Sequence, residues 1–128
     1  MAYNTNHAGT VWVLPAGQLV DVSASSISYV PVPFQGRLID AWSCISAAVT
    51  SADTTVTVKK QVGTATAITL GTITIAATGS AIGQTQQASM TGSEINRTFN
   101  AGDCLIFDSD GNSSTTSIAN FLGVFKGM

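Results

Sequence analysis

A chain of 128 residues can bury a continuous core within one domain, and 45% hydrophobic against 9% charged residues excludes the composition of a disordered protein. A formal net charge of −2, with Lys59–Lys60 the only adjacent basic pair, excludes the cationic stripe that general nucleic-acid binding requires. Thr, Val and Ile are plentiful while Glu, Lys, Leu and Arg are scarce, so pleated strands are favoured over helices.

The opening Met1-Ala-Tyr-Asn-Thr-Asn-His7 has no positively charged start leading into an apolar run, and no stretch approaches the roughly 20 apolar residues of a membrane span. The expectation is a soluble product made in a cytoplasm, with no membrane partner. Residues 1–10 are polar and aperiodic, and read as a flexible arm that orders against a neighbour. Residues 11–128 read as a single sandwich domain.

Val11–Leu14 and Leu19–Val22 are short strand candidates on either side of the turn signal Pro15-Ala-Gly17. In Tyr29-Val-Pro-Val-Pro-Phe34, alternating prolines hold the backbone extended and remove ladder donors, which predicts a sheet edge or crossover. From Gly36 to Ser46, Leu38, Asp40, Trp42 and Cys44 share one face and Ile39, Ala41, Ser43 and Ile45 the other. With apolar residues on both faces, this strand is expected to be central, one side open to cover by a partner. Thr55–Val62 alternates, with Val56, Val58 and Val62 inward and Thr55, Thr57, Lys59 and Gln61 outward. In Ile68–Ile75 the apolar parity switches at Gly71, which predicts either a β-bulge at Gly71–Thr72 that returns Ile68, Leu70, Ile73 and Ile75 to the core, or a tight hairpin.

Ala76–Asn96 reads as a long connection carrying one strand, with a helical turn over Glu94–Arg97 capped by Ser93. Asn100–Asp103 is a turn, Cys104–Asp108 a buried strand, Asp108–Ser114 a hairpin-type loop, and Ser117–Lys126 a closing strand with apolar residues on both faces. About eight strands without helical periodicity predict an all-β, two-sheet antiparallel sandwich of jelly-roll type.

Catalytic groups are sparse. The single histidine, His7, lies in the loose N-terminal segment with nothing to orient it, and Glu94 is the only glutamate. Asp40 and Asp103 flank strands in turn or edge positions. Cys44 and Cys104 sit in apolar runs and read as buried free thiols, too few for a disulfide framework or a closed zinc site. Asp108-Ser-Asp110-Gly-Asn112 resembles the start of a calcium loop. Its glycine comes two places early, however, and Ala119 stands where a bidentate Glu belongs, so the turn is the better reading. Asn96-Arg-Thr98 and Asn112-Ser-Ser114 match the glycosylation sequon and read as accidental. No enzyme, metal or cofactor is expected.

Among the aromatic residues, Trp42, Phe107 and one of Phe121 or Phe125 are expected to fill the core. Trp12 and Tyr29, beside the proline-rich edges, suit either the core or a partner surface.

Val32-Pro-Phe-Gln-Gly-Arg-Leu-Ile-Asp-Ala-Trp42, Gly71-Thr-Ile-Thr-Ile75 and Ala101-Gly-Asp-Cys-Leu-Ile-Phe-Asp-Ser-Asp-Gly-Asn-Ser-Ser-Thr115 together resemble the capsid decoration, or cement, proteins of tailed bacteriophages. The resemblance spans roughly residues 30–125 and is one of layout. It implies a virion protein on the capsid exterior that binds the major capsid protein, clusters as a homo-oligomer, with a trimer favoured, and reinforces the shell. Contacts are then expected from Met1–Val13 and from the Tyr29–Phe34 edge, centred on Trp12, Val13, Tyr29, Val30, Val32 and Phe34. The alternative is a carbohydrate-binding sandwich module of a phage fibre or adhesin, stacking sugars on Trp12, Tyr29 or Trp42.

Overall fold

The structure, a computed structural model, describes residues 10–19, 21–111, 113 and 116–127. The readings made for residues 1–9, His7 among them, and for Asn112 lie outside the described residues. Among the described residues ten strands are found: β1 (Val11–Leu19), β2 (Ser26–Pro31), β3 (Gly36–Ile45), β4 (Thr54–Gln61), β5 (Ile68–Ile75), β6 (Thr85–Gln87), β7 (Ser89–Met90), β8 (Thr98–Phe99), β9 (Cys104–Ser109) and β10 (Ala119–Gly127). No helix occurs among the described residues.

The strands form two antiparallel sheets. The first has the order β1-β10-β3-β6, with β8 also pairing β3, and the second the order β2-β9-β4-β5-β7. Without the short β7 and β8, this is the eight-strand path of a jelly roll: consecutive strands alternate between sheets except at the β4–β5 hairpin. The expected all-β jelly-roll sandwich is the fold observed.

Between the sheets lies one apolar core, which includes Leu38, Val56, Val58, Leu70, Ile73, Ile75, Leu105 and Phe107. Its aromatic rings form two groups. Phe107 stacks on Phe121 with centroids 4.5 Å apart. Phe125 stands edge-on to Phe34 at 5.1 Å and to Phe99 at 5.4 Å, and Phe34 in turn meets Trp12 at 4.4 Å. At this second group the inward face of β4 ends in Lys60. Its Nζ donates to the Thr98 carbonyl at 2.9 Å and lies 5.8 Å from the Phe99 ring centroid. The ammonium therefore has an acceptor and a π face where the sandwich opens.

Several local readings are corrected by pairing that a linear sequence does not display. β1 is one strand and not two: its register against β10 slips between Pro15 and Gln18, with Gly17 at a φ of 88°. An edge strand tolerates the missing proline donor, and the bulge absorbs the extra residue so that Leu19 still reaches the core. In β3 a bulge lies at Ile39, because Asp40 pairs Val124 and Leu38 pairs Phe125. Leu38, Ala41, Ser43 and Ile45 consequently face inward, while Asp40, Trp42 and Cys44 face outward.

The bulge expected in β5 is present, one residue early. Gly71 pairs Val58 and Thr69 pairs Lys59, which leaves Leu70 as the extra residue. Leu70, Ile73 and Ile75 are buried, but Ile68 at the strand end is exposed, as is Val62 beyond β4. Ala76–Asn96 carries two short strands, β6 and β7, where one was expected. The capped turn holds: the Asn96 amide reaches Ser93 Oγ at 3.3 Å, and the Arg97 amide reaches the Ser93 carbonyl at 3.0 Å. The Asp108–Ser114 loop is not a hairpin, since β9 and β10 belong to opposite sheets and the chain crosses the sandwich there.

The loop after β1 is tied to the segment before β10. Asp21 Oδ1 accepts the Ser23 amide at 2.9 Å, the Ser23 hydroxyl at 2.6 Å and the Ser117 amide at 3.4 Å. The two Ser23 donors lead in holding its carboxyl below the usual aspartate value. A carboxylate whose folded pKa is depressed stabilises the fold fully above its unfolded pKa, and that contribution disappears as pH falls through the folded value. Asp21→Asn is therefore expected to flatten the acid limb of the thermal-stability profile and leave its slope near neutrality unchanged. Melts recorded from neutral to strongly acid pH check this.

Candidate interaction surface

The two sheets present contrasting outer faces. On the second sheet the outward residues of β4 are Thr55, Thr57, Lys59 and Gln61, as expected, and β5 adds Thr72 and Thr74. Lys59 Nζ is paired with Asp108 Oδ2 at 2.9 Å. Across β4 and β5 this is an ordinary half-solvated face, while β9 and the edge strand β2 add Ile106, Tyr29 and Ile27 to it.

The first sheet is different. Cross-strand register sets its outward residues in rows: Val11, Lys126 and Arg37; Val13, Val124 and Asp40; Pro15, Leu122, Trp42 and Gln87; and then Asn120, Cys44 and Thr85. The two middle rows are mostly apolar. Their polar members are engaged with one another. Asp40 Oδ2 accepts the Trp42 indole N–H at 2.9 Å and a Gln87 amide N–H at 2.7 Å, and Asp40 Oδ1 accepts the Ala41 amide at 2.9 Å. Gln18 Nε2 likewise donates to Asn120 Oδ1 at 3.0 Å. A depression of about 140 Å³ between Trp42, Cys44, Thr85, Asn120 and Leu122 is well below the roughly 300–1,000 Å³ of small-molecule sites.

Trp42, expected in the core, thus lies half-buried on this outer face, because the Ile39 bulge reverses the parity of β3. Both Phe121 and Phe125 are buried, where one of them was expected to be. Cys44 and Cys104 are free thiols, but half-buried on the two outer faces and not buried in the core. Asp103 works as a turn residue, its carboxylate accepting the Asn100 amide at 2.9 Å. In the acidic loop, Asp108 pairs with Lys59, and Asp110 Oδ1 accepts the Thr55 amide at 3.2 Å. Both carboxylates thus have structural partners. Among the described residues, no cluster of three or more His, Cys, Asp or Glu side chains is placed to hold a metal ion, and no helix is long and apolar enough to cross a membrane.

The six residues proposed for partner contact separate clearly. Val13 and Tyr29 are 60% and 61% exposed, on the edge strands β1 and β2. These strands bound the same side of the sandwich and touch at Gly17, where an added Cβ would come within 2.5 Å of Ser28 Oγ. Ile27 and Val11 are exposed beside them. Trp12, Val30 and Phe34 are half-buried and packed on the core. Val32 is fully buried, fixed by its amide to the Asp103 carbonyl and by its carbonyl to the Gly102 amide, and so is a core residue with no surface to offer.

The outward Leu122 and Val124 of β10 were not singled out from the sequence, whereas Trp42 was, as a core residue or a sugar platform. The available signal was the presence of apolar residues on both faces of β3 and β10.

No known protein family matches the sequence, and no curated protein does. Among solved structures, the Eiger TNF from S. frugiperda aligns at 13% identity and a TM-score of 0.48. That alignment covers 77% of this chain and 64% of the other, so the chain spans less than two thirds of its length. CsCBM6-3 from Clostridium stercorarium, solved in complex with cellobiose, aligns at 12% identity and a TM-score of 0.49 over 98% of this chain and 88% of the other. Neither likeness assigns a family, and the jelly roll stands on the strand order itself.

Proposed function

We propose that this chain is a structural, non-enzymatic protein-binding module that attaches to the outside of a phage capsid lattice through the major capsid protein and stabilises it. The observation that carries the protein-binding part is the outer face of the first sheet. Its apolar side chains are open to solvent, while Asp40, Trp42 and Gln87 satisfy one another's hydrogen bonds. A macromolecular partner can cover such a face without stranding polar groups. The capsid assignment rests on the sequence resemblance, and the low surface charge suits a protein packed among others.

A sugar site on Trp42 would need donors and acceptors free to meet hydroxyl groups. The indole N–H and both Asp40 oxygens already have partners, which favours protein over glycan.

Co-sedimentation with purified capsids of the source virus tests the reading. The folded protein is expected to pellet with capsids at saturable occupancy. Tyr29→Ala, which removes the most exposed aromatic of the β2 edge, is expected to weaken binding about tenfold, equivalent to roughly 1.4 kcal/mol. Folded protein left in the supernatant, together with glycan-array binding that is lost in Trp42→Ala, would replace this reading with the carbohydrate-binding one.

A further inference from the structure

We infer that the outer face of the first sheet is where copies of this chain meet, leaving the Ile27–Tyr29 edge of β2 for the lattice. The inference rests on the protein-binding reading above and names its first partner as a second copy.

Area is the first argument. β1 and β10 have nine residues each and β3 ten. At about 3.3 Å per residue and 4.8 Å between strands, three such strands span roughly 450 Å² before side-chain relief and the contribution of β6. With relief, the face approaches the roughly 600 Å² per partner at the lower end of specific interfaces. One copy of the same sheet matches it in length and width.

Charge placement is the second argument. The cations Arg37 and Lys126 lie together in the row at one end, and the row at the other end is the uncharged Asn120, Cys44 and Thr85. A copy packed with its strands reversed sets each cationic end over an uncharged end, and the Val13–Val124 row over the Pro15–Leu122–Trp42 row. No like charges then face each other. Asp40, the one carboxylate in the middle rows, carries its three hydrogen bonds into the contact already formed.

The two thiols provide a test within the natural chain, since Cys44 lies on this face and Cys104 on the outer face of the second sheet. Light scattering after size exclusion, at tens of micromolar protein, is expected to give twice the 13.1 kDa chain mass. Maleimide labelling of Cys44 is expected to slow at least fivefold between dilute and concentrated protein, with Cys104 unchanged. Val13→Arg and Gln87→Arg place charge at exposed positions and are expected to give a folded monomer in which Cys44 labels at the dilute rate.

A monomer at all concentrations overturns the inference, as does an oligomer in which Cys104 alone is protected or which persists in Val13→Arg/Gln87→Arg. Capsid binding by a strict monomer would defeat this inference and leave the proposed function standing. An oligomer with Cys44 protected that ignores capsids would do the reverse.

Discussion

Replacing Phe125 with alanine is expected to cost about 3–5 kcal/mol, read as a fall in the denaturant midpoint at unchanged slope. Phe125 is fully buried in β10, the strand shared by β1 and β3, and its ring is the hub on which Phe34 and Phe99 meet edge-on. Its removal opens a cavity and also leaves two aromatic neighbours without the edge-to-face partner that fixes their rotamers. Against a typical total stability of roughly 5–15 kcal/mol, such a loss brings the fold near the point of unfolding at room temperature. A loss below about 1 kcal/mol would mean that the ring is not part of a packed core.

Gly111→Ala is expected to cost about 2–4 kcal/mol by the same measurement, from two separate causes. Its φ of 73° is disfavoured for an L side chain, and an added Cβ would collide with the Ser25 amide nitrogen and lie 2.7 Å from the Ala24 carbonyl carbon. Both contacts are backbone, so neither can turn aside. Gly102→Ala separates the causes: its φ is 95° but the space around it is open, so it should bear only the conformational part, about 1–2 kcal/mol. Equal losses at the two positions would show that the loop after β9 does not press on the β1–β2 connection.

Gly111 also illustrates what the sequence could and could not tell. Asp-Gly is a strong local turn signal, and Gly111 does take the positive φ that such a signal exploits. The expectation of a hairpin failed because strand pairing is decided far away: β9 joins β2 and β4, while β10 joins β1 and β3. The same division runs through the chain. In β4 the alternation was legible because inward valines oppose outward threonines. The β5 bulge was legible because Leu70 and Ile73 differ in parity across Gly71. The β3 bulge was not, since both parities carry apolar residues and the slip is defined only against Val124 and Phe125. That single offset turned Trp42 from the core to the surface. Trp12 and Phe34 went the other way, inward, because Phe34 packs edge-on against Phe125, some ninety positions along the chain, and Trp12 packs against Phe34. The site was therefore visible as a surplus of apolar residues on two strands, without the register that fixes which of them face solvent.

The position of β10 has a consequence for how the molecule is made. β1 and β3 do not pair with each other; each pairs with β10 from its own side. Until Ala119–Gly127 has left the ribosome, the first sheet has a slot down its middle and two unsatisfied edges that attract other chains. Completion comes by insertion of the strand synthesised latest of the ten, which makes folding non-local and slow, in the millisecond-to-second range of β-sandwiches. Nascent copies side by side on one message can offer each other those edges, so for this chain assembly and misassembly compete during the same interval.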